Sequence, residues 1–109
     1  MAVKHRKFYF TGTGAITASG KSTPGGSKLV AVLVHLSAGG AATNLTVTLN
    51  SVQGAAYDTV FETKAMSAVT DYAYIPTNPV VLSAGDTVDI AYANGGAATY
   101  GVTIILLDE

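Results

Sequence analysis

The side chains able to do chemistry are few in this 109-residue chain: two histidines, His5 and His35, seven carboxylates and no cysteine. Without cysteine there is no thiolate ligand, no sulfur nucleophile and no disulfide framework. His35 lies inside the aliphatic run Leu29 to Leu36. A strand position at a sheet edge or an interface accounts for it better than a catalytic base. Asp58 and Glu62 stand four residues apart on what reads as one strand face. Strand geometry separates them by about 13 Å, whereas a retaining carboxylate pair needs about 5 Å. Asp86 and Asp89 fall on opposite faces of a regular strand, and Asp86 closes the turn Ser83-Ala84-Gly85-Asp86. Asp71, Asp86, Asp108 and Glu109 could meet in space around calcium, but no Asp-rich loop spacing supports such a site. These residues predict no catalytic centre, no cofactor and no metal, so the chain reads as a non-enzyme.

Three other patterns have local explanations. Gly12-Thr13-Gly14 and Gly20-Lys21-Ser22-Thr23 resemble phosphate loops, but the eight-residue Walker pattern is absent and no helix follows to present its N-terminus. Asn44-Leu45-Thr46 matches the glycosylation acceptor without any secretory signal beside it. The basic cluster Lys4, His5, Arg6, Lys7 is the one clear charge feature. One reading is a solvated edge strand whose lysines discourage aggregation. The sharper reading is a docking arm, residues 1–10, that adds to a partner's sheet edge while its charges meet an acidic surface. A nucleic-acid partner is not expected, because the net charge is −1 and Phe8-Tyr9-Phe10 sits in a strand pattern.

The elements that must position these residues read as strands. Val3 to Phe10, Ala15 to Ser19, Leu29 to Leu36, Leu45 to Asn50, Tyr57 to Lys64, Asp71 to Ile75, Val80 to Leu82, Val88 to Tyr92 and Tyr100 to Leu107 alternate or run apolar between Gly, Pro, Ser and Asn clusters. Ala65 to Val69 has room for one helical turn. The word Gly-Gly-Ala-Ala-Thr occurs twice, at 39–43 and 95–99, each time between two strand patterns. A glycine pair there predicts a hairpin tip with positive φ. About eight short strands without helices predict one all-β domain, 1–109, built as a two-sheet antiparallel β-sandwich of jelly-roll type. No apolar h-region follows the basic start, and Leu29 to Leu36 is too short to span a bilayer. Neither export nor a membrane partner is expected.

Only 12% of residues are charged, about half the share of an ordinary globular domain. A surface made of Thr, Ser, Ala and Gly suits a subunit docked in a larger assembly. Leu29 to Leu36 and Tyr100 to Leu107 are apolar on both faces. Each is therefore either central and covered twice, or buried outwardly against another subunit. A homo-oligomer with cyclic symmetry follows as an expectation.

The segment Tyr74-Ile75-Pro76-Thr77-Asn78-Pro79-Val80-Val81-Leu82-Ser83-Ala84-Gly85-Asp86-Thr87-Val88-Asp89-Ile90-Ala91-Tyr92, closed by Gly101-Val102-Thr103-Ile104-Ile105, resembles the last strands of small jelly-roll proteins carried on tailed-bacteriophage virions. The resemblance implies a capsid decoration or cement subunit, made in the host cytoplasm and resident on the virion. Its implied partners are the major capsid protein or another virion protein, and its implied state is a trimer. The rival expectation is a carbohydrate- or receptor-binding head with Tyr57, Tyr72, Tyr74, Tyr92 and Tyr100 as stacking residues. The absence of tryptophan weakens that rival. A cupin-type jelly-roll enzyme would need clustered histidine and carboxylate ligands, which this chain lacks.

Overall fold

The computed structural model describes residues 4–108, so the expected strand start at Val3 and the terminal Glu109 lie outside the described residues. Nine strands follow one another: β1 Lys4–Gly12, β2 Ile16–Lys21, β3 Ser27–Leu36, β4 Asn44–Asn50, β5 Thr59–Ala65, β6 Asp71–Tyr74, β7 Val80–Leu82, β8 Thr87–Tyr92 and β9 Tyr100–Asp108. They form two antiparallel sheets. One has the order β1-β9-β3-β6 with β7 also paired to β3, and the other has the order β2-β8-β4-β5. The protein is an all-β sandwich.

The pairing is nested. The first strand pairs with the last, the second with β8, the third with β7 and β6, and the fourth with the fifth. β6 and β7 are two stretches of one sheet edge, since β7 meets Ser27 to Leu29 and β6 meets Val32 to His35. Between them Pro76 and Pro79, which lack an N–H to donate, carry the chain off the edge.

The inward residues fill one core. Ile16, Leu29, Val32, Leu36, Leu45, Val47, Met66, Leu82, Val88, Ile90, Val102, Ile104 and Leu106 are all buried in it. Most come from both sheets at every second strand position, the spacing that alternation in the sequence supplies; Leu29 and Val32 are three apart across a register shift in β3, and Met66 follows β5. Each end of the sandwich is held by one buried polar side chain. At one end the Asp86 carboxylate accepts the backbone N–H groups of Ser83 and Val52, both at 2.9 Å. At the other the Asn94 amide donates to the carbonyls of Thr13, Gly14 and Ala98.

Three local expectations are corrected. The repeated Gly-Gly-Ala-Ala-Thr segments are not hairpin tips, because β3 and β4 lie in different sheets, as do β8 and β9. Both are crossovers at the same end, tied together where Ser37 N–H donates to the Thr99 carbonyl at 2.9 Å and Ala41 N–H donates to the Tyr92 hydroxyl at 2.8 Å. None of their four glycines has positive φ. At the second copy Ala97, and Asn94 just before the word, take it instead, each at 52°. Second, Ala65 to Val69 forms no helical turn; the short 3-10 turn falls at Ala55–Tyr57. Third, Asp58 and Glu62 do not share a strand face. The β4–β5 register shifts between Val47 and Thr48, leaving Phe61 as an extra residue. A bulge of this kind turns the strand over. Glu62 therefore lies opposite the buried Val47, while Asp58 precedes β5 and accepts the Ser51 N–H.

Candidate functional site

Residues directly opposite in antiparallel strands share a face, so the registers assign every side chain of the two outer surfaces. On the five-stranded sheet, Leu29, Val32 and Val34 point inward with Leu106, Ile104 and Val102. Outward go Tyr9 and Lys7 from β1, Thr103, Ile105 and Leu107 from β9, Lys28, Ala31 and Leu33 from β3, and Val81 from β7. On the four-stranded sheet the outward set is Thr17, Ser19, Lys21, Thr87, Asp89, Ala91, Thr46, Thr48 and Asn50, with Val60 and Thr63 from the edge strand β5. The two outer faces thus differ in chemistry. One is mainly a Thr/Ser/Asn/Asp surface, with Val60 its one large exposed apolar side chain. The other is an apolar field in which Tyr9 is 70% exposed and Val81 73%.

β9 explains the field. It sits between β1 and β3, and its inner residues Val102, Ile104 and Leu106 are buried. Ile105 and Leu107 on its other side are only half-buried. Flanking side chains cover them in part, and no second layer of the described chain lies over them. Of the two explanations that an apolar-on-both-faces strand allows, central placement is realised within the sheet. It does not dry the outer surface.

A shallow groove crosses this face over Gly101, the one outward position of β9 with no side chain. Tyr9 and Thr11 wall it on one side, and Leu33, His35, Asp71 and Ala73 on the other. At its far end the His35 Nδ1 lies 2.5 Å from an Asp71 carboxylate oxygen, and both side chains are well exposed. The hydrogen bond to His35 holds the Asp71 carboxyl below its ordinary value. The pair is a solvated cross-strand contact between directly opposed residues, and the Thr70 hydroxyl donates to the other Asp71 oxygen at 3.3 Å.

The basic cluster divides by strand parity. β1 is an edge strand, paired to β9 along its whole length. His5 and Lys7 point to the outer face, and Lys4 is exposed at the strand's start. Arg6 points the other way. Its guanidinium makes a two-pronged ion pair with Asp108 at 2.7 and 3.0 Å, donates to the Lys21 carbonyl at 2.7 Å and lies over the Phe8 ring. Ser27 Oγ donates to the same Asp108 carboxylate. The Arg6 hydrogen bond, with that from Ser27, keeps the Asp108 carboxyl below the ordinary value. Arg6 is thus a tie between strands, while Lys4, His5 and Lys7 are exposed to solvent.

The carboxylates considered for calcium are scattered: Asp71 beside His35, Asp86 on backbone N–H groups, Asp108 on Arg6. Among the described residues no three His, Asp or Glu side chains gather. The tyrosines considered for stacking are largely committed to packing. Tyr92 is buried in the core, and Tyr72, Tyr74 and Tyr100 pack against it. Tyr72 also donates its hydroxyl to Glu62, with the Lys64 ammonium over its ring, where β6 and β5 flank the open side of the sandwich. Burial foremost, and then the bond to Glu62, pushes the Tyr72 phenol well above its ordinary value. Only Tyr57 of the five stands exposed.

Sequence reading missed Tyr9 and Val81 as members of the apolar face. Each belongs to a strand whose own pattern is unremarkable, and only pairing to β9 or β3 brings them beside Ile105 and Leu107. No protein-family model matches the chain, and no curated protein matches it in sequence.

Proposed function

We propose that this protein is a non-enzymatic virion subunit of the capsid decoration or cement type, docked on its partner through the outer face of the five-stranded sheet. The observation that carries the reading is the asymmetry of the sandwich. One outer face presents Tyr9, Leu33, Ile105, Leu107 and Val81, while the other is mainly Thr, Ser, Asn and Asp, with Val60 its one large exposed apolar side chain. A continuous exposed apolar patch marks an interaction surface. The nested strand pairing supports a jelly-roll winding, in which a long antiparallel ribbon is rolled so that its paired strands alternate between two sheets. β1 with β9 and β3 with β6 and β7 form one layer of such a roll; β2 with β8 and β4 with β5 form the other.

The partner surface that fits is apolar with an acidic rim, since Lys7 and His5 border the patch while its one carboxylate, Asp71, is already engaged by His35. The mechanism is mass action. A subunit that binds only the assembled shell stabilises it, by about 2.7 kcal/mol per site at a hundredfold excess over Kd. Repetition over the lattice multiplies the effect.

The test is co-sedimentation of the purified protein with expanded capsid shells and with unassembled capsid protein. Saturable binding to shells alone, with a raised shell rupture temperature, is the expected result. Leu33→Asp is expected to abolish binding and Thr63→Asp, exposed on the opposite face with Thr46 as its cross-strand neighbour, to leave it intact. Equal binding by both variants removes the five-stranded sheet as the docking face. A protein that ignores shells yet binds a surface polysaccharide is a receptor-binding head instead.

A further inference from the structure

We propose that the free edge of β1 pairs antiparallel with β1 of a second copy, joining two five-stranded sheets into one continuous sheet about a two-fold axis. This inference stands independently of the capsid reading.

A sandwich with two open sheets has four edges, and each presents unpaired backbone groups. Three are blunted here. β2 is short, at six residues. β5 is bent by the bulge at Phe61. The β6–β7 edge is interrupted by Pro76 and Pro79. β1 carries none of these three devices: it is nine residues long, holds no proline, and keeps perfect register with β9 from Lys4 to Gly12. Its guard is the cations of its first half, which deter a strand that would align like charges with them. β1 is the edge best suited to accept another strand.

The residues of β1 then select the occupant. All its cations lie in the first half, Lys4, His5, Arg6 and Lys7, and all its aromatics lie in the second, Phe8, Tyr9 and Phe10. Antiparallel pairing centred on Phe8 places Lys7 opposite Tyr9, Arg6 opposite Phe10, His5 opposite Thr11 and Lys4 opposite Gly12. No cation faces a cation, and an exposed Lys7–Tyr9 cation–aromatic pair forms on each side of the axis, while Arg6 stays with Asp108 and Phe8 of its own copy. A two-fold axis normal to the sheet keeps the same face outward in both copies, so only registers pairing outward with outward residues are allowed. The next such register in one direction sets Lys7 against Lys7. In the other it leaves Lys4 and His5 beyond the end of the partner strand. A parallel partner, or an unrelated basic strand, would align like charges. The contact is isologous and closes at two copies, whereas a trimer needs a heterologous contact.

The absence of cysteine makes the register directly readable. Lys7→Cys and Tyr9→Cys are prepared separately, mixed, and oxidised, with circular dichroism confirming β structure for each. Directly opposed outward positions lie within disulfide reach, and offset ones do not. The mixture is expected to give a covalent dimer and each variant alone to give little. If either variant misfolds, His5→Cys with Thr11→Cys reads the same register on exposed positions. Light scattering of the unmodified protein is expected to report twice the 11.1 kDa monomer mass. A monomer or a trimer at high micromolar concentration overturns the proposal. So does a dimer in which Lys7→Cys crosslinks with itself as readily as with Tyr9→Cys.

Discussion

Replacing Gly40 and Gly96 by alanine, one at a time, is expected to move stability in opposite directions although both sit in the same five-residue word. A Cβ on Gly40 would stand 2.3 Å from the Met66 carbonyl oxygen and 2.8 Å from the Tyr92 hydroxyl. Neither neighbour is free to retreat. Met66 is fully buried and its carbonyl accepts the Val69 N–H, while the Tyr92 hydroxyl accepts the Ala41 N–H. Overpacking of this kind costs about 1 to 3 kcal/mol, and losing the tyrosine bond adds about 1 kcal/mol. At about 5 °C per kcal/mol for a domain of this size, Tm should fall by about 10 to 20 °C. A Cβ on Gly96 would meet nothing within 4 Å, and its φ is not in the left-handed region. Alanine there restricts the unfolded chain and should raise stability by about 0.4 to 1 kcal/mol. Thermal and urea denaturation of the two variants and the parent measure both effects. Equal Tm shifts, or a stable Gly40→Ala protein, would refute the crossover geometry and return the two segments to equivalent turns.

Three further outcomes follow from the polar ties. Asp86→Ala strands two backbone N–H groups and should cost about 2 to 4 kcal/mol in urea denaturation, with Asp86→Asn, which keeps one acceptor oxygen, losing less. Asn94→Ala removes the amide that holds three carbonyls and places alanine at positive φ; a loss of about 2 to 3 kcal/mol is expected, and a loss below about 0.5 kcal/mol would show that the loop ends are not held this way. The Arg6–Asp108 pair gives acid sensitivity. Asp108 ordinarily titrates at 3.8 and lower when folded, so the unfolded chain binds the proton first. The pair's stabilisation is thus full above the ordinary value and lost as pH falls through the folded one. Urea midpoints measured from about pH 6 down to about pH 2 should drop more steeply for the parent than for Asp108→Asn, and parallel curves would count against the ion pair.

What the sequence made legible was what depends on a residue's near neighbours. Alternation in Leu45, Val47, Leu49 and in Val88, Ile90, Tyr92 marks strands and their inward sides, and these residues do pack in or against the core. Turn chemistry at Ser83 to Asp86 is equally local, and Asp86 does bind the Ser83 N–H. Sheet membership is not local. A glycine-rich word between two strands looks the same whether the chain reverses within one sheet or crosses to the other, so the two Gly-Gly-Ala-Ala-Thr crossovers resembled hairpins. Face assignment fails at the same limit wherever a bulge intervenes. One extra residue at Phe61 separated Asp58 from the face of Glu62, and nothing in Thr59 to Ala65 announces it.

The outer face of the five-stranded sheet shows how far a local signal carries and where it stops. Apolar residues on both sides of Tyr100 to Leu107 required cover on two surfaces, and that inference needed no structure. Locating the second surface needed the registers. They place Tyr9 opposite Thr103 and Leu33 on its other flank, with Ile105 next along the strand. An exposed tyrosine in β1 and an exposed valine in β7 are each unremarkable alone. Brought onto one sheet face, with a mainly polar face behind them, they become a contiguous patch that a free monomer would leave wet. The sidedness of the sandwich follows from pairing, and it is why a single charge at Leu33 should separate the proposed docking from folding while the same charge at Thr63, exposed opposite Thr46, should do neither harm.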